Sequence, residues 1–186
     1  MKNKNNLSDA ILIEKYQKGD VKALNQLVKR WHLKFCNLAF WIVKDADAAK
    51  DIAQESWTII IYKLKNLQEL KKFNSWATSI VNRKAIDWIR AKNRERNKLV
   101  NLFNESEKGV LYSEINDISN IQKALIKSIK KLSLEHQMVI RLFYKENYSL
   151  KEVSEILQIS VGTTKSRLFH AREKLKTILK HNNYER

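Results

Sequence analysis

The chain has 186 residues, enough for one domain or two small ones, with 36 Lys and Arg against 20 Asp and Glu. With no proline and three glycines it is short of the turn residues that sheet-rich folds need. A single cysteine, Cys36, excludes an intramolecular disulfide and fits a reducing cytosol.

The net charge of +16 is unevenly spread. Residues 1–98 carry +11, residues 99–120 carry −3, and residues 121–186 carry +8. Two basic blocks around an acidic stretch suggest two surfaces for a polyanion, first of all nucleic acid. A membrane surface fits less well, because the basic segments also hold enough apolar residues to build cores. The polar first six residues lack a signal peptide's apolar run. The apolar stretches are interrupted well short of a membrane span. Together these features predict a cytoplasmic protein.

In chain order, Ser8 and Asp9 predict the N-terminus of a short helix that Gly19 ends. Asp20 opens a second helix, with Leu24, Leu27, Val28, Trp31, Phe35, Leu38, Ala39 and Ile42 on one apolar face. A third is predicted over residues 46–64, followed by a polar loop at 65–72. A fourth covers residues 74–94, with Trp76, Ile80, Ala85, Ile86 and Ile89 directed inward. Trp76 reads as core, whereas Trp88 has polar neighbours and stays open between core and stacking surface.

The helical pattern fails between residues 94 and 116, which predicts a flexible linker over residues 97–116. Its apolar residues Leu102, Phe103, Val110, Leu111 and Tyr112 give it a capacity to bind. A second helical set begins near Asp117 and runs through Ile121, Ala124, Leu125, Ile129 and Leu132. Ser133 starts the next helix, Ser149 caps another with Glu152 at capping-box spacing, and Ser160 caps the last. The expected fold is all-α, as two small domains over residues 1–96 and 117–186.

The segment from Ser149 to Leu168 has the plan of a helix-turn-helix. Val153, Ile156 and Leu157 form the buried face of its first helix, Gln158-Ile-Ser160 its turn, with Ile159 as the buried pin. The second helix presents Ser160, Thr163, Lys165, Ser166, Arg167, Phe169 and His170 near its N-terminus, where such helices meet the major groove. Arg and Lys read guanine, and apolar groups contact the thymine methyl. Asp51, Gln54 and Glu55, at i, i+3 and i+4, share one face of the third helix. Spacing alone leaves that face as ordinary solvated surface.

Three runs resemble the extracytoplasmic-function (ECF) subgroup of bacterial RNA polymerase sigma factors. Val161-Gly-Thr-Thr-Lys-Ser-Arg-Leu-Phe-His-Ala-Arg-Glu-Lys-Leu175 resembles the end of sigma domain 4. Thr164, His170, Gln158 and Ser154 stand where Val, Arg, Gly and Ala are common. Asp45-Ala-Asp-Ala-Ala-Lys-Asp-Ile-Ala-Gln-Glu-Ser-Trp57 resembles the docking helix of sigma domain 2, with Lys50 where Glu is common. Phe73-Asn-Ser-Trp-Ala-Thr-Ser-Ile-Val-Asn-Arg-Lys-Ala-Ile-Asp-Trp-Ile-Arg90 is similar to that domain's promoter-opening helix, with Asn82-Arg83 reversing the common order.

The resemblance implies an alternative sigma factor that takes core RNA polymerase to specific promoters. It implies that Asp51, Gln54 and Glu55 meet the polymerase β′ clamp helices, with the β subunit as a further contact. It implies that Asn74, Asn82, Arg83, Lys84 and Arg90, with the loop at residues 65–74, take the −10 element as a single strand. Ser160, Thr163, Lys165, Ser166, Arg167, Phe169 and His170 would read the −35 element as duplex. An anti-sigma partner is a further implication. The alternative is a free-standing helix-turn-helix regulator that binds duplex DNA without polymerase.

No cofactor is expected. His32 and Cys36 have the i, i+4 spacing of two zinc ligands, but no second pair accompanies them. Gly-rich phosphate loops and nucleophile–base pairs are absent too, so no enzymatic activity is expected.

Overall fold

The computed structural model describes the backbone of residues 8–100 and 120–184, and the side chains of residues 8–96 and 125–180. It contains eight α-helices and no strand among the described residues. Two compact units emerge, Met1–Asn104 and Glu105–Arg186, each with its own hydrophobic core. Most of the expected linker, with its apolar residues from Leu102 to Tyr112, lies outside the described residues.

The first unit holds α1 (Asp9–Gln17), α2 (Val21–Val43), α3 (Ala46–Leu64), a 3-10 turn at Leu70–Lys72, and α4 (Phe73–Val100). Side-chain oxygens accepting backbone N–H groups start the first three: Ser8 for α1, Asp20 for α2 and Asp45 for α3. Asp9, expected at the cap beside Ser8, is instead the first helical residue. Its carboxylate accepts from Arg30 and, at 3.0 Å, from Trp31 Nε1, tying α1 to α2. Gly19 leaves α1 at φ +100°, a conformation that glycine adopts without a side-chain clash.

The core of this unit is aromatic. Trp31 lies 5.5 Å from Phe35 and 5.6 Å from Phe73 between ring centroids, and Phe35 lies 5.2 Å from Trp57. Helix α4 contributes Phe73, Ala77, Val81 and Ala85, one residue per turn on its fully buried stripe. Of the residues expected inward on α4, Ala85 is fully buried, while Trp76, Ile80, Ile86 and Ile89 pack half-buried against the core. Trp88 is half-buried as well, with Lys92 Nζ 4.7 Å from its ring centre. The helix continues through Val100, so residues 97–100, assigned above to the linker, are helical. From Arg90 to Arg96 every residue is exposed.

The second unit holds α5 (Asn120–Lys130), α6 (Leu134–Ile140) with a π-helical turn at Arg141–Lys145, α7 (Leu150–Leu157) and α8 (Val161–Tyr184). Its core is Leu132, Val139, Ile140, Leu142, Tyr148, Val153, Ile156, Leu168, Ala171 and Leu175. On α5, Ser128 is buried and Ile129 packs half-buried against the core, while Leu125 is 39% exposed. The turn after α7 needs a correction. Ile159 and Leu157 are half-buried rather than enclosed, because Val153 and Ile156 already fill the space beneath the turn.

Candidate nucleic-acid interface

The turn between α7 and α8 is held by backbone and cap chemistry. Ser149 Oγ accepts from Glu152 N at 3.3 Å, and the Glu152 carboxylate accepts from Ser149 N at 2.8 Å, closing a capping box. Gln158 ends α7 in the left-handed region, at φ 54° and ψ 44°. Ile159 N then donates to Ser154 O at 3.0 Å, and the chain reverses. Ser160 Oγ accepts from Thr163 N at 3.0 Å, and Thr164 Oγ1 donates to Ser160 O at 3.1 Å. Thr164 is fully buried, so this residue locks the start of α8 from inside.

That start sets which side chains face outward. The stripe Thr164, Leu168, Ala171 and Leu175 is buried. At about 3.6 residues per turn, Thr163, Ser166, Arg167 and His170 fall on one flank of it, and Lys165 and Phe169 on the other. Lys165, Ser166, Phe169 and His170 are exposed, Phe169 by 59%. Ser160 and Thr163 are engaged with each other at 2.8 Å as well as in the cap. Arg167 is half-buried and pairs with Glu135 of α6 at 2.9 Å, which fixes its direction. Arg172, on the Lys165–Phe169 flank, packs 5.4 Å from the centre of the Tyr144 ring. It was not singled out above, although its helical spacing from Lys165 and Phe169 places it there.

His136 of α6 adjoins this surface. Its Nδ1 lies 3.0 Å from Ser133 Oγ. Burial, then the charge of Lys174, holds its pKa below the ordinary histidine value, with Glu135 acting in the opposite direction.

In the first unit, Asp51, Gln54 and Glu55 are all exposed on one face of α3. Glu55 accepts from Lys84 Nζ of α4 at 2.7 Å. Two residues assigned above to different partners are therefore one ion pair. Arg83 and Arg90 are exposed, Arg90 lying 3.7 Å from Asp87, and Asn74 is half-buried. Asn82 is the exception among the expected −10 contacts. It is 6% exposed, and its Oδ1 is buried without a hydrogen-bond partner. Ser75, Thr78 and Asn82 form a polar ridge beside the apolar stripe of α4, and helix geometry carries Asn82 inward with it.

The loop after α3 makes a concavity of about 440 Å³ open to solvent, lined by Gln17, Lys65, Asn66, Leu67, Gln68 and Leu70. Its amide side chains each offer a donor and an acceptor. Gln17 comes from α1 and lay outside every motif singled out in the sequence. Among the described residues no group of three or more His, Cys, Asp or Glu could hold a metal ion. Cys36 Sγ lies 3.6 Å from His32 Nε2, and Cys36 packs half-buried against the core of the first unit.

Comparison with known proteins covers both units. The family description "Sigma-70 region 2" matches residues 27–95, and "Sigma-70, region 4" matches residues 128–177. The chain is 29% identical over 182 residues to the ECF RNA polymerase sigma-E factor of Escherichia coli (strain K12), covering 90% of this chain and 92% of that one. The ECF RNA polymerase sigma-E factor of Haemophilus influenzae is 27% identical over 176 residues, covering 90% and 93%. The sigma factor RpoE from Bartonella quintana, solved with the anti-sigma factor NepR, has the same fold, with a TM-score of 0.68 at 21% identity, covering 86% of this chain and 98% of that one. CnrH, solved with the cytosolic domain of CnrY, matches with a TM-score of 0.65 at 21% identity, covering 93% and 97%. With region 2 in the first unit, region 4 in the second and full-length sigma-E relatives, this chain belongs to the ECF sigma factors and is an alternative sigma factor for promoter-directed transcription initiation.

Proposed function

We propose a division of labour between the two units. The first docks on core RNA polymerase through Asp51, Gln54 and Glu55, against the β′ clamp helices, with the β subunit as a second contact. Its helix α4 and the loop at residues 65–74 receive the −10 element as single strand, using Asn74, Arg83, Lys84 and Arg90. Unstacking a base costs a few kcal/mol, offset by contacts in a pocket and by cations that track the backbone. The second unit reads the −35 element as duplex. Lys165, Ser166, Arg167, Phe169 and His170 reach base edges, while Ser160 and Thr163 sit at the helix terminus that favours phosphate. A partner of the anti-sigma kind, as NepR is for the Bartonella protein, would control access to these surfaces. The setting is the bacterial cytoplasm, where polymerase and promoter are found. Among the described residues no helix is long and apolar enough to cross a membrane.

The observation that carries this reading is the exposed Asp51, Gln54 and Glu55 face on the unit that also bears the basic helix α4. A duplex-binding regulator has no use for an acidic–polar face there. Opposite potentials on neighbouring surfaces serve a protein that must meet both a protein and DNA. The test is run-off transcription with core polymerase on a promoter library, using the native chain and Asp51→Lys. Promoter-specific transcripts that disappear with Asp51→Lys are expected. No core binding, together with tight duplex binding by the chain alone, would overturn the reading in favour of a free-standing regulator.

A further inference from the structure

The loop that follows α3 is held in place from a distant part of the chain. Gln17 is the last residue of α1, and its Nε2 donates to Leu64 O and to Leu67 O, both at 2.9 Å. Leu64 is the last residue of α3, so its carbonyl is one of the helix-end acceptors left without an intrahelical partner. Leu67 is the third residue beyond it. The two hydrogens of one planar amide thus clamp the start of the loop to α1, across 47 and 50 positions of sequence. The amide also lines the open concavity with Lys65, Asn66 and Gln68. The backbone bonds at the start of the loop, Asn66 N to Lys63 O at 3.1 Å and Leu67 N to Leu64 O at 3.3 Å, are local turns that tie it only to the end of α3. The side-chain clamp is the shorter and more distant constraint.

We propose that Gln17 is a positioning residue for promoter opening: its double hydrogen bond sets the conformation of the loop at residues 65–70 and so decides which base the concavity accepts. This rests on the reading that the loop receives an unpaired base. The chemistry is specific to a donor. Glutamate has the same shape and no N–H, so Gln17→Glu would turn a carboxylate oxygen onto two carbonyl oxygens. Gln17→Ala would remove the clamp without adding charge.

The experiment uses the full chain with core polymerase. Templates carry each of the four bases at every −10 position, and opening is followed by a fluorescent base analogue in the non-template strand. Unfolding is followed in parallel by tryptophan fluorescence. Losing two neutral hydrogen bonds should flatten the preference for the best base over the worst by about five- to tenfold in both variants. Core binding and −35 duplex affinity should stay at native levels. Asn66→Ala and Gln68→Ala serve as direct tests of the loop. If these two flatten the preference and both Gln17 variants keep the native profile, the positioning role is wrong and the reading of the loop stands. If none of the four alters the profile, the reading of the loop fails and the proposal fails with it. If the Gln17 variants weaken core binding, duplex binding and unfolding midpoint in step with selectivity, Gln17 only supports the fold, and the proposal is overturned.

Discussion

Replacing Gln158 by glycine should stabilise the second unit and leave the first untouched. Gln158 sits at φ 54° and ψ 44°, where a Cβ crowds the following carbonyl oxygen at a cost of about 1–2 kcal/mol. Glycine has no such cost, but it widens the unfolded ensemble, which returns about 0.4–1 kcal/mol. The net gain is on the order of 0.5–1 kcal/mol. For a unit of this size that raises the midpoint by about 2–8 °C. The Gln158 side chain is exposed and its backbone N–H keeps its acceptors, Glu155 O and Ser154 O, so no packing is lost. The assay exploits an asymmetry of composition. All five tryptophans, at positions 31, 41, 57, 76 and 88, belong to the first unit. Tryptophan fluorescence therefore reports that unit alone, while helical ellipticity reports both. In the full chain, Gln158→Gly should raise the ellipticity transition that fluorescence does not follow. A lowered midpoint, or an equal shift in both signals, would refute the argument from backbone strain.

Further substitutions probe other contacts. Asp9→Ala removes the acceptor of Arg30 and Trp31 Nε1, both at least half-buried, and should cost the first unit about 1–3 kcal/mol, read as an earlier fluorescence transition in urea. Arg167→Ala and Lys165→Ala, which both remove a cation from base edges, should each cost about 1–3 kcal/mol of discrimination between a −35 site and a mismatched duplex, read from binding to the two duplexes. The depressed pKa of His136 has a sign that can be worked through. The unfolded chain takes up its proton near pH 6.5, and the folded unit resists doing so. Stability of the second unit should therefore be intact above pH 6.5 and decline as pH falls below it, levelling off once the folded histidine is protonated too. His136→Gln should remove that dependence, measured by ellipticity midpoints between pH 5 and 8 (a range of about three units around the histidine value).

Local chemistry made the helices legible. Ser8, Asp20, Ser149 and Ser160 announce helix starts by residue type, and the structure has each of them accepting a backbone N–H of its own helix. The region-2 and region-4 arrangement was readable because its motifs are contiguous. What stayed hidden depends on distance in the chain. Asn82 looks like a surface contact by residue type, yet a helix whose inward stripe includes Val81 and Ala85 carries its neighbour under. The Arg167–Glu135 and Glu55–Lys84 pairs join different helices, and the Gln17 clamp spans about fifty residues, so no periodicity records them. The π-helical turn at Arg141–Lys145 has a wider hydrogen-bond spacing than the α-helix, which hydrophobic periodicity does not display.

The exposed end of α4 divides one helix into two kinds of matter. Through Ile89 its residues lean on the core, and amides there should exchange with solvent only when the unit opens as a whole. From Arg90 to Arg96 the same hydrogen-bond ladder runs with solvent on every side, although Lys92 reaches back to Asp45 at 4.0 Å. Such a segment has few packed contacts to resist fraying, so its amides should exchange many times faster while still counting as helix. A deuterium profile along α4 would then fall in a step near residue 90, well before the helix ends.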